Sequence, residues 1–263
     1  MNKSIKLSEK FKHIQQNLHF ILVEPENPGN VGSVARAMKT TGFQNLILIN
    51  YSDLDHPELR MMAHRSLNIV KQAKIYPSLR EAIGNMRLTV ATTMRKRHFS
   101  FPFYNPQELC ENFLPVALHH PIAIVFGREC NGLTNEELLQ CQLHSTIKTA
   151  TQNPALNLSQ AVMIYAHTFF LHLNQLEPDY NYDYASQYEI EKYYEHLLDA
   201  IKLVNFVPRD GYEEFITRVR RFIGRSMAES RDIRLLHKLL QIFETRIQDL
   251  EKMVNRQSRR EIF

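Results

Sequence analysis

The run PIAIVFG, residues 121–127, is apolar from its first residue until it stops at a glycine. A strand with one wet face alternates polar and apolar residues, and this run does not, so both of its faces need cover. A central place in a sheet with helices above and below supplies that cover. HFILVE (19–24), LILIN (46–50) and RLTVAT (87–92) have the same buried-strand character. Between the first two, PENPGN reads as a loop, and Val31, Val34, Ala35 and Met38 then recur at helical spacing before Gly42. Strand, loop, helix and strand in that order make a βαβ unit. Residues 59–70 and 78–83 read as further helices, TNEELLQC (134–141) as another, 146–148 as a short extended piece, and 156–173 as a long helix. The alternation predicts an α/β fold with a parallel, Rossmann-like sheet and helices on both faces.

Character changes near residue 174, where NQLEPDYNYDYASQYE is polar, acidic and rich in tyrosine. The organisation read from this is an N-terminal arm or helix (1–18), an α/β domain (19–173), a linker (174–190) and a helical C-terminal domain (191–263). Two helices are expected in the last part. Phe215, Val219, Phe222 and Ile223 line one stripe, with Arg218, Arg221 and Arg225 on an adjacent face, and Leu236, Leu239, Leu240, Phe243 and Ile247 line a second.

The net charge of +4 decides little, but its distribution is uneven. Arg95, Lys96 and Arg97 cluster, and arginines crowd 209–234, a pattern that fits a polyanionic partner. No apolar run approaches the ~20 residues of a membrane span. The charged N-terminus lacks the apolar centre of a signal peptide, so the expected address is the cytoplasm. Cys110, Cys130 and Cys141 form no CxxC pair and the histidines no HExxH, so no metal site is expected. GxGxxG, the Walker A loop and the serine elbow are also missing.

Three loops at strand ends gather Gly, Asn and Pro: PENPGNVGSVAR (25–36), FGRECNGLTNEEL (126–138) and TQNPALNLSQAV (151–162), within the longer stretches NPGNVGSVARAMKTTGF (27–43), IAIVFGRECNGLTNEELLQC (122–141) and PALNLSQAVMIYAHTFF (154–170). Such loops at the carboxyl ends of parallel strands suit a nucleotide-like ligand. In order and content they resemble the three motifs of the TrmH/SpoU branch of the SPOUT superfamily of RNA methyltransferases, over about residues 19–173. Residues 215–244 are similar to the tail of its TrmJ subfamily.

The resemblance implies a sheet whose C-terminal chain is threaded into a deep trefoil knot, which general rules of topology would argue against. It implies S-adenosyl-L-methionine held by Thr92, Thr93, Met94, Gly127, Ile147, Pro154, Ala155, Leu156 and Asn157. It also implies a homodimer whose partner completes the site, and 2′-O-ribose methylation of tRNA at the cytidine or uridine of position 32 in the anticodon loop. Arg36, Asn30 and Glu129 become the catalytic candidates. A guanidinium stays protonated in proteins, so Arg36 suits phosphate positioning and alkoxide stabilisation better than proton removal. Asn30 and Asn157 are each also placed to cap a helix. Arg95, Lys96, Arg97, Arg218, Arg221 and Arg225 are the RNA-binding candidates. Two positions depart from the family pattern: Ala155 stands where serine is usual, and Lys148 follows Ile147 where proline is usual. Ribosomal RNA as substrate, or a weakly catalytic RNA-binding homologue, are the alternatives.

Overall fold

In the computed structural model of the chain, residues 9–94, 103–150, 156–173 and 183–260 are described, and two compact units emerge, Met1–Asn181 and Tyr182–Phe263. The first contains a sheet of seven strands: β1 (Leu18–Val23), β2 (Asn45–Ile49), β3 (Lys74–Tyr76), β4 (Leu88–Thr92), β5 (Phe103–Tyr104), β6 (Ile122–Phe126) and β7 (Leu143–Ser145). They pair in parallel in the order β3-β2-β1-β6-β4-β7-β5. The chain builds outward from β1 to β3, then returns to lay β6 and β4 on the other side of β1. The direction of construction therefore reverses at the β1–β6 pair, where Leu18–Leu22 run beside Ile122–Phe126 in register.

The helices of this unit are α1 (Glu9–Asn17), α2 (Pro28–Thr41), α3 (Pro57–Ala63), α4 (Leu67–Lys71), α5 (Leu79–Ile83), α6 (Pro106–Asn112), α7 (Asn135–Gln140) and α8 (Leu158–His172). Period-two alternation sends Ile21, Val23, Ile47, Ile49, Ala91, Ala123 and Val125 to one face, against Leu79 and Ile83 of α5 and Leu138 of α7. On the other face Phe20 meets Phe43 and Phe126, and Phe126 meets Tyr165 of α8 edge-on at 5.5 Å. No residue of β6 is more than 2% exposed, the double burial that its unbroken apolar run requires. α2 is capped by Asn27 with Pro28 in its first turn, and it ends at Gly42, whose φ of 87° suits glycine. Gly32 lets α2 close on α3, since a Cβ there would stand 2.3 Å from the Leu59 carbonyl oxygen.

Several expectations need correction. Residues 59–70 are not one helix: His64, at φ 50° and ψ −122°, breaks it into α3, the 3-10 turn His64–Ser66 and α4. The extended piece read at 146–148 follows directly on β7, whose Leu143–Ser145 pair with Val90–Thr92 of β4. β3, β5 and α6 were not anticipated, β3 being an edge strand with exposed Lys74 and Ile75 and β5 two residues long.

The second unit holds α9 (Gln187–Leu203), α10 (Gly211–Ser226) and α11 (Ser230–Arg260), one helix more than expected. α9 starts from a capping box in which Ser186 and Glu189 satisfy each other's backbone. Ile190, Tyr193 and Tyr194 of α9, Ile223 of α10 and Ile233 of α11 form its core, with Leu236 and Leu240 packed against it. α11 therefore turns its 233/236/240 face inward, which leaves Leu239 and Phe243 of the expected stripe exposed, as is Phe222 on α10. Among the described residues no helix is long and apolar enough to cross a membrane.

Burial lowers the pKa of His19 and His144 in the first unit and of His237 in the second, where His196 adds to the effect. A depressed folded-state pKa means that the unfolded chain binds protons first as the pH falls. This contribution to stability is full above the ordinary value of 6.5 and is lost as the pH drops below it towards the folded values. Urea midpoints measured at about pH 7.5 and about pH 5.5 are expected to be lower at the acid end. A midpoint that rises on acidification would contradict this assignment.

Candidate active site

β1 and β2 end in residues with left-handed backbone, Glu24 at φ 45° and Asn50 at φ 49°. The strand ladder runs through both, since the Glu24 N–H donates to the Ile49 carbonyl and the Asn50 N–H to the Tyr76 carbonyl. This geometry aims the Glu24 carboxylate along the sheet edge, where Arg128 Nε donates to its Oε2 at 2.8 Å. The same guanidinium grips Glu137 with two bonds of 3.0 Å. Glu137 in turn closes the capping box of α7, accepting the Thr134 N–H at 2.7 Å. The Arg128 and Glu137 side chains are only 17% and 14% exposed, so each charge depends on the other. Bonding to Glu137 and Glu24 raises the Arg128 pKa further, and Arg128 holds Glu24 below the usual carboxylate range. Gly127 precedes this group for a steric reason, since a Cβ on it would lie 2.2 Å from the Gly132 carbonyl carbon.

With its neighbour fixed, Glu129 reaches the PENPGN loop. Its carboxylate accepts the Glu26 N–H at 2.8 Å, the Asn27 N–H at 3.3 Å and Asn30 Nδ2 at 2.8 Å. Asn30 Oδ1 accepts Asn157 Nδ2 at 2.9 Å, and Asn157 Oδ1 caps α8 through the Ser159 N–H. One chain of hydrogen bonds thus links all three sequence motifs: Glu129, Asn30, Asn157. Both polar ends of the Asn30 amide are engaged, which fixes its orientation. Asn27, and not Asn30, is the cap of α2, whereas Asn157 does cap α8.

Arg36 stands apart. It lies six residues after Asn30 on α2, hence on another side of the helix, and it is exposed with no carboxylate bonded to it among the described residues.

The strand ends beside Glu129 carry the residues expected to hold a cofactor. Thr92 Oγ1 donates to the Val125 carbonyl, the Thr93 N–H to the Ser145 carbonyl, and Thr146 Oγ1 to Met94 Sδ at 3.5 Å. These contacts set Met94 next to the end of β7, with Gly127 one strand away; Ile147 and Leu156 are half-buried. Pro154 and Ala155 lie outside the described residues, as do Arg95, Lys96 and Arg97. Of the C-terminal arginines, Arg218 is bound to Asp210 and Glu214, Arg221 is half-buried with Nε shut from solvent, and Arg225 is exposed. Sequence reasoning missed the Glu24–Arg128–Glu137 group; the spacing T-x-x-E at Thr134 and Glu137 was its one readable signal. It also missed Tyr51, whose buried hydroxyl has no hydrogen-bond partner among the described residues and whose pKa is raised by burial and by the charges of Asp53 and Glu129.

A family model described as the SpoU rRNA Methylase family matches residues 17–167. A tRNA (cytidine/uridine-2′-O-)-methyltransferase TrmJ from Klebsiella pneumoniae is 31% identical over 236 residues, 87% of this chain and 97% of the relative. The protein of the same name from Salmonella typhimurium is 32% identical over 237 residues, with 87% and 97% covered. Among solved structures, the crystal structure of TrmJ from Z. mobilis superposes with a TM-score of 0.72 at 26% identity, covering 86% of this chain and 98% of that one.

Arg128→Met should strand two carboxylates at the sheet edge and cost about 2–4 kcal/mol, read from urea unfolding. Arg218→Met, at an exposed pair, should cost under about 1 kcal/mol. Equal losses would show that the Arg128 group does not organise this edge.

Proposed function

Because the chain belongs to the SpoU methylase family, we propose that it transfers a methyl group from S-adenosyl-L-methionine to a ribose 2′-hydroxyl of tRNA, in the anticodon loop at the cytidine or uridine of position 32. The observation that carries this reading is the hydrogen-bond chain Glu129–Asn30–Asn157, which draws the three motifs to one place outside the β1–β6 reversal. Ligands of open α/β sheets bind at such a reversal.

The residues present suit the cofactor. Met94 and Ile147 offer half-buried apolar surface for an adenine at adjacent strand ends, and Thr92, Thr93 and Gly127 offer backbone groups beside them. Leu156 and Asn157 would close the pocket from the start of α8, and family resemblance alone assigns Pro154 and Ala155 to the same cofactor. S-adenosyl-L-methionine supplies an electrophilic methyl group on a sulfonium.

The chain's own residues then orient the ribose. Asn30, locked by two partners, presents an amide in one fixed pose. Glu129 spends its carboxylate on three donors, so it is read as a positioning residue for Asn30 and the α2 loop, and not as the proton acceptor. Arg36 keeps its charge, which suits holding the phosphate next to the target and stabilising the oxyanion as it forms. Its exposure and its separation from Asn30 within one chain support a site completed by a second copy. This reading therefore includes a homodimer, the knotted threading through α8, and work in the cytoplasm. The Arg95–Arg97 cluster and Arg225 are assigned to RNA phosphates, while Arg218, already paired, is a weaker contact.

Ribosomal RNA is the second reading, supported by the family description. Labelled methyl transfer to tRNA and to rRNA separates the two. Arg36→Ala is expected to lower kcat/KM about 100-fold or more. Its stability should stay within about 0.5 kcal/mol of wild type, as at other exposed sites. Unchanged transfer in that variant would refute the role of Arg36.

A further inference from the structure

α2 packs against α3, α4, α8 and the 3-10 turn His64–Ser66. Across α2, α4, α8 and that turn there is no aspartate or glutamate. α3 has one, Glu58, which lies against Gly29 in the first turn of α2, at the opposite end from Arg36 and Lys39. In sequence, no carboxylate occurs between Glu26 and Asp53 or between Glu58 and Glu81.

The basic residues of this layer fall into two groups. Arg60 is bonded to Asp55, and Asp55 also feels Lys71. Arg36, Lys39, His64 and Arg65 are exposed, and no carboxylate is bonded to any of them among the described residues. They are neighbours. Lys39 Nζ donates to the Arg65 carbonyl and, at 3.0 Å, to Asn68 Oδ1. Arg36 lies one turn before Lys39 and one turn after Gly32, which sits against Leu59 and Ala63. His64 holds φ 50° and ψ −122°, a conformation suited to glycine, yet it carries an imidazole into solvent at this corner.

We propose that Arg36, Lys39, His64 and Arg65 form a docking surface for the sugar–phosphate backbone of the RNA substrate, continuous with the site through Arg36. This rests on the RNA substrate proposed above and adds a track to it on the α/β unit. Arg36, Lys39 and Arg65, with no carboxylate bonded among the described residues, match a chain of phosphates, the guanidinium forks of Arg36 and Arg65 suit phosphate oxygens, and the His64 imidazole offers an N–H beside them. Patch-to-patch pairing of two copies at Lys39 and Arg65 would set cation against cation, which favours the polyanion as occupant of that part, while Arg36 faces the site that a second copy completes.

The test uses the full-length protein with an unmodified tRNA transcript and an rRNA fragment, by fluorescence anisotropy at several salt concentrations. Arg65→Glu is expected to weaken binding about tenfold or more and to make the log–log salt dependence shallower by about one. His64→Gly relieves the backbone and is expected to keep or raise the Tm while weakening RNA binding a few-fold, a combination that loss of folding cannot produce. Loss on tRNA, with or without loss on rRNA, supports the surface together with the tRNA reading, whereas loss on rRNA alone supports the surface and overturns tRNA as the substrate. Wild-type affinity and salt slope in both variants would overturn the surface and leave the proposed reaction standing. So would a changed oligomeric state in Arg65→Glu with RNA affinity intact. Failure of the wild-type protein to bind either RNA would overturn the surface together with the reading on which it rests.

Discussion

Arg128 lies between Glu24 at the end of β1 and Glu137 in the first turn of α7, and the carboxyl edge of the sheet is arranged around that contact. The three groups come from a strand end, a loop and a helix start, so one guanidinium fixes the relative position of all three. An ammonium would not do the same, because the planar fork satisfies both oxygens of Glu137 while its Nε serves Glu24. The burial that makes the group costly to assemble also makes it intolerant of losing one member.

The next residue, Glu129, carries this order into the three sequence motifs. With Arg128 held, Glu129 has little choice of direction, and it meets the loop before α2 and the side chain of Asn30. Asn30 passes the constraint to Asn157 and so to the start of α8. Left-handed backbone at Glu24 and Asn50 is the cost of aiming this edge, about 1–2 kcal/mol per residue. Gly127 removes the steric obstacle to the tight loop that carries Arg128 and Glu129. The Glu129–Asn30–Asn157 chain is thus held by hydrogen bonds at each member. Arg36, on another side of α2, is left exposed.

The strands that show in the sequence are those buried on both faces, because their apolar runs have no other explanation. β6 is the clearest, and β1, β2 and β4 follow. β3 and β5 do not show, since an exposed edge strand and a two-residue strand leave no apolar signature. His64 interrupts a helical pattern without glycine or proline to announce it. The cap at Asn157 is local and legible, whereas at α2 the sequence points to Asn30 and the cap is Asn27; the contacts that assemble the site are not legible. Glu129 and Asn30 are 99 residues apart, and Asn30 and Asn157 are 127 apart. Resemblance to a family brings these residues to notice as a set, and the fold joins them by hydrogen bonds. On α11 the repeat of leucines offered more than one stripe, and packing against Tyr193 and Ile223 selected the 233/236/240 face.

The central claim is that this edge methylates a tRNA ribose. The most direct measurement incubates the purified protein with an unmodified tRNA transcript and S-adenosyl-L-methionine, digests the RNA to nucleosides and reads them by mass spectrometry. The account predicts 2′-O-methylcytidine or 2′-O-methyluridine at one position of the anticodon loop. Methyl groups on bases instead of ribose, or none on tRNA while rRNA is labelled, would contradict it.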